Sequence, residues 1–325
     1  MTTRASFLSR TYREFTSVEF VTAAFLVVFD VLALVFHNSV DVGAVLVSSV
    51  VIMLIMFAMN ALLAGYPNKW THAAHTFYVV PIALMVFKTV EKLSFAIHGR
   101  DYDDVLIHID RSLFGTDPTV WLFHHIPTLP VVVEFLQSCY FMYYWLPVIV
   151  AWELSKRRQQ TRSERATHNL EELRFTIVYG LLVSYVCYLL LPGVGPRFTL
   201  HDFAALPHEL PGLWLTDGLR FLINWGENIS AAMTNAEAMK VVTRDVFPSG
   251  HTEITLLTML LAFKFKVRAR WFILLVGSGL IFSTVYLRYH YVIDVIGGAL
   301  LAMIVLYSVP WAMRVFRNRT KDDTR

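Results

Sequence analysis

Apolar residues run along this chain in long blocks, with short polar stretches between them. The blocks cover about residues 19–37, 42–65, 75–97, 130–153, 173–192, 248–266, 270–287 and 291–313. Each comes close to the ~20 residues that a helix rising ~1.5 Å per residue needs to cross the hydrocarbon of a bilayer. The pattern predicts an all-α fold, a polytopic transmembrane helical bundle of about eight spans. Each span satisfies its backbone polar groups internally. Six spans are the alternative, if the first two are an appendage.

Composition agrees. Of the 325 residues 56% are hydrophobic and only 16% charged, against ~25% charged in an average soluble domain. Cys139 and Cys187 both fall inside apolar blocks, so neither a disulfide framework nor a thiolate metal site is expected. The N-terminus carries Arg4, Arg10 and Arg13 without a small-residue cleavage signature after them, and the first span is read as a retained helix.

The net charge of +3 matters less than its distribution. Besides the N-terminus, basic residues gather after the fourth span (Lys156, Arg157, Arg158, Arg162, Arg165), after the sixth (Lys264, Lys266, Arg268, Arg270) and in the tail (Arg314, Arg317, Arg319, Lys321). With eight spans all four clusters lie on one side, which the positive-inside rule makes cytoplasmic. The opposite loops are acidic (Asp101, Asp103, Asp104, Asp110) or mixed. They would face the periplasm, the exterior or an organelle lumen.

Two outer segments exceed a simple turn. Residues 98–129 mix turn formers with apolar residues and Trp121, a composition that suits the membrane surface. Residues 193–247 hold Leu210–Leu215 and Leu219–Trp225, which suggest a second interfacial helix and a candidate lid, with a purely structural cover as the alternative. Within the spans, Lys88 and Glu91 read as an i,i+3 pair, either of which could instead touch a headgroup, as could Lys92. Asp30 is an intramembrane carboxylate with no evident partner. The Asn228-Ile229-Ser230 sequon matters only in a eukaryotic protein.

The chemistry concentrates in Gly193-Val194-Gly195-Pro196-Arg197-Phe198, Phe247-Pro248-Ser249-Gly250-His251-Thr252 and Arg288-Tyr289-His290-Tyr291-Val292-Ile293-Asp294. An out-and-back hairpin between the last two returns the chain to the face it left, so His251 and His290 belong at one interface. Arg197 and Arg288 offer forked donors matched to phosphate oxygens. Ser249 and Gly250 precede a helix whose free N–H groups favour an anion. His290 is placed to attack phosphorus, with Asp294 one turn on to hold its other ring nitrogen. His251 is then the acid that protonates the leaving alkoxide and the base that deprotonates the acceptor. A metal reading would use His251, His290 and Asp294 as ligands, with Glu253 nearby.

These three motifs resemble those of the type 2 phosphatidic acid phosphatase (PAP2) superfamily. The form of the third, with Leu-Phe-Gly-Thr-Asp-Pro-Thr-Val-Trp-Leu at 113–122, looks most like the branch related to inositol phosphorylceramide synthases. The resemblance covers roughly residues 75–313, a six-helix catalytic core with interfacial segments 98–129 and 193–247. Residues 1–74 then supply a cytoplasmic segment and two accessory helices, and 314–325 a basic cytoplasmic tail. The resemblance implies a metal-independent reaction through a phosphohistidine, without a cofactor. By motif position it implies His290 as nucleophile, His251 as general acid/base, Asp294 as orienter, and Arg197, Ser249, Gly250 and Arg288 as phosphate binders. The first motif departs from the family, which usually has a lysine before an Arg-Pro pair. Here the order is Pro-Arg with no lysine before it, and Lys240 or Arg244 is a candidate substitute.

The function expected is an integral membrane lipid phosphatase or phosphotransferase acting at the extracytoplasmic face. The alternative is a transferase passing a phospho-headgroup from a phospholipid to a lipid alcohol. Both use the same residues. A transporter would place charges near the midplane and often show inverted repeats, and ranks last. The expected partners are a lipid phosphate or phospholipid and the bilayer. Nothing points to nucleic acid, and a protein partner is not legible.

Overall fold

The structure, a computed structural model, describes residues 6–317, which are helical with no strand among them. Arg4, Arg319 and Lys321 lie outside the described residues. The chain opens with α1 (Phe7–Glu14), α2 (Ser17–Val35), α3 (Val42–Gly65), α4 (Lys69–Phe77) and α5 (Val79–His98). There follow α6 (Asp103–Phe114), α7 (Pro118–His125), α8 (Pro130–Phe141), α9 (Trp145–Thr161) and α10 (Glu164–Leu190). The short helices α11 (Pro196–Thr199), α12 (Leu206–Glu209), α13 (Thr216–Gly226) and α14 (Asn235–Val241) precede α15 (Gly250–Lys264), α16 (Arg270–Tyr286) and α17 (Val292–Val315).

Among the described residues five stretches are long and apolar enough to cross a membrane: α2, α3, Lys69–His98, α10 and α17. The other three expected spans differ in form. Residues 130–153 are not one helix, because α8 ends at Phe141 and a 3₁₀ turn over Met142–Tyr144 leads into α9. Pro147 has no N–H for the carbonyl of Tyr143, so a continuous helix would leave that carbonyl without its usual donor. α15 and α16 hold 15 and 17 residues, which at ~1.5 Å per residue makes them only about 22 and 26 Å long.

The described chain forms two compact units. The first comprises residues 6–97, 150–183 and 304–317. Thr16 caps α2 in a capping box closed by Glu19, satisfying free first-turn N–H groups. Glu19 also accepts from the Tyr78 hydroxyl and lies 3.8 Å from His75 and 3.9 Å from Arg174. Asn60 Oδ1 accepts from His75 Nε2 at 3.1 Å, and Arg174 donates to the His75 carbonyl at 3.0 Å. The Ser49 hydroxyl donates to Asp30 at 2.7 Å, the partner that sequence could not name. Lys88 and Glu91 pair at 2.7 Å.

The second unit comprises residues 98–149 and 184–303. α16 packs between α15 and α8, and small residues permit the approach. A Cβ added to Gly277 would lie 2.7 Å from the Met259 sulfur on α15, and one added to Gly279 2.9 Å from the Cys139 sulfur on α8. The expected helix in residues 193–247 is α13, and the N–H groups of its first residue and of the turn just before it converge on Glu134 of α8. That carboxylate accepts from Leu213, Leu215 and Thr216 N–H at 2.9, 2.6 and 3.2 Å, and from the Thr216 hydroxyl at 2.7 Å. An anion at a helix N-terminus satisfies donors that have no partner within the helix. The flanking Trp214, Phe221 and Trp225 are exposed.

Candidate active site

The site is built where three turns meet in the second unit. The turn before α15 is closed by Ser249, whose hydroxyl accepts from Thr252 N–H at 3.2 Å as an N-cap. Its own N–H donates to the Asp294 carbonyl at 2.9 Å, joining this turn to the first turn of α17. A Cβ on Gly298 would come within 2.4 Å of the Ser249 carbonyl oxygen, so α17 can lie this close only with glycine there. The N–H groups of Gly250 and His251 reach no acceptor among the described residues. They are the free first-turn donors to which an anion binds. Gly250 has a packing reason as well, since a Cβ there would meet the Tyr188 hydroxyl at 2.3 Å.

The two histidines meet as the hairpin argument required. His251 Nδ1 lies 3.3 Å from His290 Nε2. His290 Nδ1 lies 3.0 Å from the Val246 carbonyl oxygen and 3.3 Å from Asp294 Oδ2. A carbonyl can only accept, so His290 carries its proton on Nδ1 and presents a lone pair on Nε2. The contact between the rings then requires His251 to donate from Nδ1. The two tautomers are thereby assigned from the hydrogen-bond network. Burial holds the His290 imidazole below its ordinary pKa, against the opposing pull of Asp245, which keeps that lone pair free near neutrality. Asp294 also accepts from Tyr291 N–H at 2.8 Å, so its carboxylate both caps α17 and touches His290.

Aromatic rings wall the pair. Tyr140 stacks on His251 at 4.6 Å between centroids and on Tyr289 at 4.2 Å, and Tyr143 lies 4.4 Å from His251. The Arg197 guanidinium sits 5.0 Å from the Tyr289 centroid, completing a row Arg197–Tyr289–Tyr140–His251. Arg197 is buried and paired with Glu227. Burial works against its charge, but Glu227 together with the neighbouring Tyr289 and Tyr140 more than offsets this and raises its pKa.

Arg288 goes elsewhere. It is the left-handed residue that ends α16 (φ 67°), and its side chain meets Glu209 and the face of Phe123, 4.5 Å from the ring centroid. None of its side-chain contacts is to either histidine. Motif position put Arg288 with the other phosphate binders, whereas the backbone turn at 288 carries it to a separate recess. Arg244 is also committed, to Asp101 at 3.2 Å and to the carbonyls of Val242 and Met239 at 2.6 Å each. Lys240 is exposed on α14.

Two carboxylates that the sequence presented only as loop acidity hold the motifs together. Asp103 accepts from Val194 N–H at 2.9 Å, Gly195 N–H at 2.8 Å and the Tyr291 hydroxyl at 2.8 Å. Asp110 accepts from Val292 and Ile293 N–H at 2.9 and 2.8 Å, capping α17 just after His290. Burial raises the pKa of both. Seven residues apart, they share one face of α6, and that spacing was the available signal. Gly195 itself has φ 98° and lies where a Cβ would be 2.9 Å from the Tyr289 carbonyl oxygen, which reserves the position for glycine. Glu253, the extra ligand of the metal reading, bonds to the Ser184 hydroxyl. Among the described residues no group of three or more His, Cys, Asp or Glu side chains is arranged to hold a metal ion.

A family model described as the PAP2 superfamily matches residues 104–308. No curated protein and no solved structure matches the chain.

Proposed function

The chain belongs to the PAP2 superfamily, a family of phosphatases and phosphotransferases, and from that premise we propose that it acts on a lipid-linked phosphate through a phosphohistidine at His290. The observation that carries this reading is the pair itself: Nε2 of His290 unprotonated, its Nδ1 held, and His251 Nδ1 3.3 Å away. His290 Nε2 attacks phosphorus, the bond from phosphorus to the leaving oxygen breaks, and His251, entering the step as the imidazolium, gives that oxygen a proton and is left neutral. Arg197 and the free N–H groups at the start of α15 take the phosphoryl oxygens, where charge develops. In the second step water or a lipid alcohol gives its proton to His251 while its oxygen takes the phosphoryl group from Nε2. Asp294 and the Val246 carbonyl hold the imidazolium formed in between. Ser249 supports the site as the cap of α15, and its hydroxyl hydrogen is a further donor.

The basic clusters on alternate loops support an eight-span arrangement with both termini cytoplasmic, residues 75–313 as the catalytic core and the site facing outward. Exposed Trp214, Phe221 and Trp225 suit an α13 lying at the bilayer surface above it. The stretch at 113–122 favours the second reading, transfer of a phospho-headgroup between lipids as in inositol phosphorylceramide synthases.

The test is turnover of a lipid panel by purified protein with chelator present and products read by mass spectrometry. The panel holds phosphatidic acid, polyprenyl pyrophosphate, and phosphatidylinositol with ceramide or diacylglycerol as acceptors. Free phosphate is the outcome for a phosphatase, and an intact headgroup on the acceptor the outcome for a transferase. His290→Ala should abolish either while eluting as folded protein. Substantial residual turnover would remove His290 as nucleophile, and activity that only metal ions restore would overturn the mechanism.

A further inference from the structure

Beside the histidine site, and unused by the chemistry above, two guanidinium groups each keep a buried donor unsatisfied. Arg288 is 1% exposed. Its Nη1 holds Glu209, and its Nη2 has no hydrogen-bond partner among the described residues. Arg220 donates Nη2 to the Leu210 carbonyl at 2.6 Å, while its Nη1 is likewise buried without a hydrogen bond, 4.0 Å from the exposed Asp217 carboxylate. The two arginines sense each other's charge, and their ligands Glu209 and Leu210 are adjacent in sequence.

Arg288 opens on a shallow, partly open recess walled mainly by Leu122, Phe123, Ile126, Leu210 and Tyr286. Burying a guanidinium costs free energy unless its donors are met. Placing it on a left-handed, non-glycine residue adds to that cost. The Glu209 carboxylate shows that this guanidinium accepts an oxyanion, and the Phe123 ring beside it, 4.5 Å from centroid to Cζ, lines the same recess.

We propose that Arg288, Arg220 and this recess form a second anion subsite, distinct from the histidine pair, that binds an anionic group of the lipid substrate other than the phosphate that reacts. Arg288 and His290 are two residues apart and so within about 7 Å along the backbone. One substrate carrying two anionic groups can therefore occupy both places, its apolar portion following the recess wall and Glu209 giving way to the incoming oxyanion. The proposal rests on the histidine pair being the reacting site.

The experiment measures binding, in the non-reacting His290→Ala background, of dioctanoyl phosphatidylinositol and dioctanoyl phosphatidylinositol 4-phosphate, which differ by one phosphate. Binding does not require His290 to be the nucleophile, so a failure of the phosphohistidine reading is separable from a failure here. The chain should prefer the two-phosphate lipid, and Arg288→Gln should reduce that preference by about 30-fold, the value of a charge-assisted hydrogen bond of about 2 kcal/mol. Ile126→Trp, which fills the recess without altering charge, should reduce it as well and serves if Arg288→Gln does not fold. Absence of a preference in the parent protein overturns the proposal. So does equal weakening of both lipids by Arg288→Gln, which would assign Arg288 to the reacting phosphate.

Discussion

Asp103→Asn tests whether the clamp on α6 acts through geometry or merely through stability. The carboxylate receives two backbone N–H groups and one hydroxyl, all at 2.8–2.9 Å. An isosteric amide keeps one acceptor oxygen and turns an NH₂ toward a donor. One charge-assisted bond of about 1.5–3 kcal/mol is lost, and a backbone N–H is left without an acceptor. Against this stands a gain, because burial already works against the Asp103 charge and the neutral amide escapes that cost. The two largely offset in folding free energy, so the melting temperature in detergent should fall by only a few degrees. They do not offset in positioning. The turn carrying Arg197 and the Tyr291 hydroxyl beside His290 both lose their common anchor. About 2 kcal/mol of lost positioning corresponds to about 30-fold in turnover. The assay compares kcat, KM and melting temperature of the parent, Asp103→Asn and Asp103→Glu. A full-speed Asp103→Asn, or a loss of activity matched by a loss of folded protein, would refute the positioning role.

Asp294→Asn should lower kcat by about 10- to 100-fold with KM nearly unchanged, a partial loss because the Val246 carbonyl still holds His290 Nδ1; loss of all activity would mean the carboxylate does more than orient. Glu227→Gln releases Arg197 from its carboxylate and should lower KM for the lipid substrate by roughly three- to tenfold; a raised KM would make Glu227 a support for the arginine. His201 bears on stability. Burial, then the nearby Arg288 charge, lowers its pKa from 6.5 to about 3. The unfolded chain therefore binds more protons than the folded one between those values. His201 contributes stability that is complete above pH 6.5 and is lost as pH falls toward 3. His201→Gln should flatten the fall in melting temperature between pH 7 and 5, and an unchanged slope would locate the acid sensitivity elsewhere.

The histidine pair and Asp294 were legible because their relations are local or topological: an i,i+4 spacing, and a hairpin whose length returns the chain to one face. The Val246 carbonyl was not, because a backbone acceptor leaves no mark in a sequence. The separation of the Arg288 side chain from the histidines was hidden for a related reason. Motif position gives the order of side chains but not the left-handed turn that swings one of them away from its neighbours. Asp103 and Asp110 stood in plain view as acidic loop residues. Their role emerges only when residues 103–114 are helical, which puts both on one face. The span at 130–153 read as continuous because hydropathy counts Pro147 as one residue among many, while the backbone registers it as a missing donor. Five of eight spans are long apolar helices, and α15 and α16 fall short of that length because turns and basic residues close the 265–270 segment.

Arg197 and Arg288 each already hold a carboxylate: Glu227 on Arg197 and Glu209 on Arg288. Both glutamates come from residues 193–247. Anion uptake is therefore an exchange, as on a resin loaded with its own counter-ion, and the affinity measured is a difference between two occupants. A phosphate monoester brings up to two charges against the single charge of a carboxylate, while a phosphodiester brings one. The resident glutamates thus set a threshold that grades ligands by charge before any chemistry begins. Each exchange would also displace a glutamate of residues 193–247, so that occupancy of the arginine is reported as a change of charge in that segment.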